Sequence, residues 1–155
     1  QGLGNSIDAL QDARRAAREL KARTGYKIVT LRHMDEYVPQ DEQFGDEAPY
    51  NVGPDDFVRL ISQAAYVCTD SFHCTAFSIQ FHRRFMTFYR FASGNKNGRN
   101  SRIDSLFSVL GIDRERIFSG DVSAIDRPVD WAAVDKRLAG LREKSIGYIK
   151  EALGQ

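Results

Sequence analysis

Four short runs of β-branched and aromatic residues, each separated from the next by a helical pattern, constrain this chain more than any other feature. The runs are YKIVTL (26–31), AYVCT (65–69), RFMTFYRF (84–91) and RIF (116–118). Each has the length and composition of a strand. Between them lie helical signals. Ser6 is placed to cap a helix to about Arg23, with Ile7, Leu10, Ala13, Ala17 and Leu20 on one face, and Thr24-Gly25 ends it. Gly53-Pro54-Asp55-Asp56 starts a second helix, with proline in the first turn and acids near the positive end of the dipole. Residues 71–81 are apolar almost all round and read as a buried helix. Ser101 caps a fourth helix that carries Ile103, Leu106, Phe107 and Leu110 inward and stops at Gly111. Asp130 caps the last, whose stripe of Trp131, Val134, Leu138, Leu141, Ser145, Tyr148 and Ala152 is too short for a coiled coil and reads as packing on a neighbouring surface. Strict alternation of this kind predicts an α/β fold, a Rossmann-like parallel sheet with helices on both faces.

The totals narrow the class. The chain has 155 residues and 42% hydrophobic content, enough for one domain with one core, so 1–155 is read as a single α/β unit. A net charge of +1 gives no field that would recruit a polyanion, and a nucleic-acid partner is not expected. Cys68 and Cys74 have no metal-ligand spacing, so they read as reduced thiols of a cytoplasmic protein with no metal site. No apolar run approaches the ~20 residues that span a bilayer, and no signal-peptide pattern is read before the first helix. Residues 33–52 are acidic and broken by Pro39, Gly45 and Pro49, a long loop of the kind that is functional or mobile. The chain opens on a glycine loop and runs straight into a helix. A domain of this class begins with a strand, so the chain is expected to be a fragment without its first strand.

The seam Thr69-Asp70-Ser71-Phe72-His73 concentrates polar groups between two apolar segments. In open α/β sheets ligands sit beyond the carboxyl ends of the strands. A helix opening there presents unpaired N–H groups and partial positive charge, which suits an anion. Ser71 can cap this helix and His73 can donate to a phosphate or carboxylate. A satisfied capping serine beside a packing histidine gives the same pattern, and the residues alone leave both open. Lys96, Arg99 and Arg102 follow the next strand and emerge on the same edge, in a loop whose glycines and asparagines let backbone N–H groups approach a ligand. A solvated basic loop is the plainer alternative. Taken together, the two features point to a small, strongly anionic ligand. Arg83 and Arg84 precede their strand and read as surface charge on the opposite edge.

Several stretches, in order, resemble the polysaccharide pyruvyl transferases. GPDDFVRLISQAAYVCTDSFHCTAFSIQF looks like that family's Gly-Pro-x-acid-Phe start, apolar helix and Thr-Asp-Ser-Phe-His-Gly-Thr element. NSRIDSLFSVLGI and VDWAAVDKRLAGLREKSIGYIKEAL are similar to its Ser-Arg-Ile segment and closing helix, so the likeness covers roughly 53–153. The resemblance implies two Rossmann-like halves facing across a cleft, of the glycosyltransferase-B type, of which this chain would be the C-terminal half. The absent strand would be central, and another segment, an oligomeric partner or the N-terminal half of the protein would fill its gap.

The resemblance also implies an activity: transfer of a pyruvyl group from phosphoenolpyruvate to a saccharide as a ketal, in cell-surface or exopolysaccharide synthesis. The fragment alone would be inactive. No cofactor is implied, and a lipid-linked acceptor would bring the protein to the inner face of the membrane. On this reading His73 binds the donor and serves as general acid, while Ser71 and Thr75 contribute hydroxyls or N–H groups. Lys96 and Arg102 hold phosphate or carboxylate, and Asp70 positions a cation or the loop. Cys74 stands where the family has glycine. A thiolate would be favoured at a helix N-terminus, but no base for a nucleophilic role is identifiable. Two further readings stay open: a glycosyltransferase-like half that binds a sugar nucleotide, and a non-catalytic interaction module.

Overall fold

The computed structural model describes residues 3–31, 43–89 and 100–154. The elements are α1 (Leu3–Thr24), α2 (Pro54–Gln63), β1 (Tyr66–Thr69), α3 (Phe72–Gln80), β2 (Arg84–Thr87), α4 (Asn100–Leu110) and α5 (Trp131–Ala152), with 3-10 turns at Arg114–Arg116 and Ser123–Asp126. β1 and β2 pair in parallel, Tyr66 opposite Arg84 through Thr69 opposite Thr87. The connection between them is α3, a βαβ unit of the expected kind. Ile117 adds a single parallel bridge on the far side of β2, where the Phe118 N–H donates to the Thr87 carbonyl at 2.9 Å.

Both faces of the pair are covered, and the strand period of two sorts the side chains between them. Val67 and Phe85 point into a cluster with Ile61, Cys74, Ile79, Ile103, Phe107 and Val134, contributed by α2, α3, α4 and α5. Met86 and Phe88 point the other way, into a cluster with Ala16 and Leu20 of α1 and with Val122 and Ile125. The mixed α/β architecture with helices on both faces is therefore present, in a sheet that has two strands among the described residues.

Three expectations are corrected. Residues 26–31 do not enter the sheet: Val29 bridges Glu47, and the Thr30 N–H donates to the Glu47 carbonyl at 2.8 Å. Tyr26, Val29 and Leu31 are exposed there, so the run pairs with the neighbouring loop instead of being buried on two faces as a central strand must be. The run 116–118 forms one bridge and no strand, because the 3-10 turn at Arg114–Arg116 occupies its entry. α1 begins at Leu3, so Ser6 lies inside the helix; Asn100 likewise opens α4 ahead of Ser101. The helix stops hold: Gly25 and Gly111 take φ of 75° and 66°, a region open to glycine. On α5 the cap holds as well, with the Asp130 carboxylate accepting from the Ala133 N–H at 3.0 Å. The stripe packs only as far as Leu138; beyond it Leu141, Ile146, Tyr148, Ile149 and Leu153 are exposed.

One buried charge ties the layers together. Arg116 is 3% exposed, and its guanidinium lies 5.2 Å from the Phe85 ring centroid. It donates to the carbonyls of Phe85 (3.1 Å), Ile125 (3.4 Å) and Arg127. Arg116→Met keeps the stem but strands three carbonyls, and is expected to cost about 2–4 kcal/mol. Urea denaturation checks this; a loss below about 0.5 kcal/mol would mean the carbonyls find other partners.

Candidate functional site

α3 starts where β1 ends, at the carboxyl edge of the strand pair. The edge is marked by the Phe88 N–H, which donates to the Thr69 carbonyl at 2.8 Å. Ser71 is the cap, in extended conformation, and its hydroxyl accepts from the Cys74 N–H at 3.4 Å. Its own N–H donates to the Thr69 hydroxyl at 3.0 Å, which fixes the turn leading into the helix. Thr75 is fully buried. Its hydroxyl donates to the Ser71 carbonyl at 2.9 Å and lies 3.0 Å from the Thr87 hydroxyl, itself buried at the end of β2. The first turn of α3 is thus anchored from below, with Cys74 and Thr75 inward and His73 exposed above.

Arg102, in the first turn of α4, reaches the same place. Its guanidinium stands 5.2 Å from the Phe72 ring centroid, a cation–π contact. The imidazole of His73 meets that ring edge to face, centroids 5.7 Å apart. Phe72 therefore joins the histidine and the arginine at one end of the sheet. Lys96 and Arg99 fall outside the described residues. Arg84 sits at the opposite edge, where it donates to the Tyr66 hydroxyl at 2.9 Å. Among the described residues no group of three or more His, Cys, Asp or Glu is placed to hold a metal, and no helix is long and apolar enough to cross a membrane.

Two features escaped the sequence reading. Phe72 looked like one more apolar residue of a buried helix, and nothing in its type marked it as the contact between His73 and Arg102. Tyr89, two residues past β2, donates its hydroxyl to Asp104 of α4; Arg114 donates to the same hydroxyl at 3.1 Å and pairs with Asp104 at 2.7 Å. The signal was the Ser-Arg-Ile-Asp spacing, which puts an acid two residues after Arg102.

A family model described as polysaccharide pyruvyl transferase matches residues 5–90. The chain belongs to the polysaccharide pyruvyl transferase family. No curated protein and no solved structure matches it. This pyruvyl transferase match runs from α1 past β2 and contains the whole Ser71-Phe72-His73 turn, whereas α4 and α5 lie beyond it. Membership places the chain among transferases of polysaccharide biosynthesis, with a saccharide as acceptor.

In this pyruvyl transferase chain the two thiols are held protonated. Burial pushes Cys68 up to about 12. Burial also raises Cys74, outweighing the lowering contacts from Thr69 and Ser78. A helix N-terminus favours a thiolate, but here desolvation wins. A rise from the ordinary 9.0 to about 12 cuts the thiolate fraction of Cys68 at neutral pH roughly a thousandfold. Iodoacetamide is expected to label neither cysteine of the native protein on the timescale of a free thiol, and both in urea, by mass spectrometry. Rapid native labelling of Cys74 would contradict this account of the turn.

Proposed function

We propose that the chain is the donor-binding half of a pyruvyl transferase that moves a pyruvyl group from phosphoenolpyruvate to two hydroxyls of a saccharide, in cell-surface or exopolysaccharide synthesis. The observation that supports it most is the meeting of His73 and Arg102 on the ring of Phe72, beside the N-terminus of α3. Phosphoenolpyruvate carries a phosphate and a carboxylate, so its site needs cations and N–H donors in one place. The reading extends to the whole protein: a two-halved fold of the glycosyltransferase-B type, cytoplasmic, in which an N-terminal half or another copy covers the sheet edge left beside β1.

In this reading the reaction is an addition followed by a substitution. A proton delivered to the methylene carbon makes carbon 2 electrophilic, and a saccharide hydroxyl adds there and loses its proton. The C–O bond to phosphate then breaks, the phosphate leaving with the bonding pair, and the second hydroxyl closes the ketal. The two hydroxyl protons account for the new methyl hydrogen and the proton on the released phosphate. His73, exposed at the turn, is the general acid. The amides that open α3 and the Arg102 guanidinium bind the donor's anionic groups and stabilise the departing charge. Ser71 presents its turn to the donor. Thr75, its hydroxyl engaged within the fold, acts from beneath by holding that turn. Lys96 is a further phosphate ligand in this proposal.

In the full-length protein, His73→Ala is expected to lower phosphate release from phosphoenolpyruvate about 100-fold or more. The unfolding midpoint should hardly move, because the side chain is exposed. Wild-type turnover in this variant would remove His73 from the chemistry. Calorimetry with phosphoenolpyruvate and with a uridine diphosphate sugar decides the substrate class: the first is expected to bind and the second not, and the reverse would favour the glycosyltransferase reading.

A further inference from the structure

We infer that Tyr89, Asp104 and Arg114 form a clamp that sets where Arg102 stands, and that this clamp tunes donor affinity at the site proposed above, on which the inference rests. Successive residues of an α-helix are about 100° apart. On α4 the buried Ile103 points into the core, so Arg102 and Asp104 flank it on opposite sides. Arg102 faces Phe72 of α3, and Asp104 faces the exit of β2 and the turn at Arg114–Arg116. The apolar contacts of Ile103, Phe107 and Leu110 hold α4 against the core but are not directional, so they tolerate small rotations about its axis. Hydrogen bonds are directional, and those with an ionised partner are about twice as strong as neutral ones. A carboxylate gripped by a phenol and a guanidinium removes that rotational freedom at the first turn, where a helix is held least. Turning α4 to release Asp104 would swing Arg102 off the Phe72 ring.

The clamp has a firm base. Tyr89 follows Phe88, which is buried and bonded to the Thr69 carbonyl, so the phenol is anchored on the strand pair that also carries α3. Burial, and then Asp104, push the phenol up to about 12 from its ordinary 10.0, which keeps it a proton donor. Because the folded value is raised, the stabilisation is complete below pH 10 and is lost as pH rises toward about 12, so the clamp is intact at neutral pH.

The test is a double-mutant cycle in the full-length protein, with steady-state kinetics on phosphoenolpyruvate and urea denaturation of every variant. Tyr89→Phe is expected to raise KM for phosphoenolpyruvate about 10-fold with kcat changed less than about twofold, the size of coupling found between groups in one network. In an Arg102→Gln background the same substitution should change KM less than about twofold, because the residue it positions is gone. Arg114→Gln, which alters only an exposed end of the clamp, should raise KM about threefold and supplies a second reading of the same effect. An unchanged KM in Tyr89→Phe, or an undiminished effect in the Arg102→Gln background, overturns the clamp while leaving the donor site standing. Failure of the unsubstituted protein to bind or turn over phosphoenolpyruvate overturns both.

Discussion

The hydroxyl pair Thr75–Thr87 is the contact on which the site depends. The Thr75 hydroxyl is already matched by the Ser71 carbonyl at 2.9 Å, and at 3.0 Å it also satisfies the buried Thr87 hydroxyl, which would cost on the order of 1–3 kcal/mol if left unmatched. That pairing fixes the first turn of α3 against the last residue of β2. Because β2 is in register with β1, Thr69 opposite Thr87, the turn from β1 into α3 is fixed as well. The opening amides of α3 are then aimed past the carboxyl edge of the sheet, and His73, one position before the buried Cys74-Thr75 pair, has only the solvent side to occupy.

From this anchor the charges at the edge follow. α3 puts Phe72 beside His73, and α4 lays Arg102 over the same ring. The aromatic ring is a spacer that both groups touch. At the opposite edge the chemistry differs: Tyr66, Arg84 and Asp126 bond to one another, so that edge satisfies its own charge.

Much of this was legible in the chain, for particular reasons. The β1–α3–β2 unit is legible because its apolar runs are bounded by polar residues and its helix has a serine cap, although the run 84–91 is a strand only over Arg84–Thr87 among the described residues. The strand at 26–31 was read wrongly because β-branched composition reports fitness for a pleated surface, not burial, and this segment found an exposed partner in residues 44–47. The run 116–118 misled for a related reason: Arg116 has the spacing of a strand residue but serves as a buried donor to three carbonyls, which a local pattern does not encode. The Ser71-Phe72-His73 turn was visible as a motif; the meeting of Phe72 with Arg102, thirty residues on, is a tertiary fact. Lys96, the other cation of the sequence reading, lies outside the described residues.

The most direct test of the central claim is a structure of the full-length protein with a non-reactive phosphoenolpyruvate analogue. The account predicts the analogue's phosphate or carboxylate at hydrogen-bond distance, about 3 Å, from the first amides of α3 and from the His73 imidazole. A ligand bound elsewhere, with that imidazole and the Arg102 guanidinium both turned to bulk solvent, would contradict it.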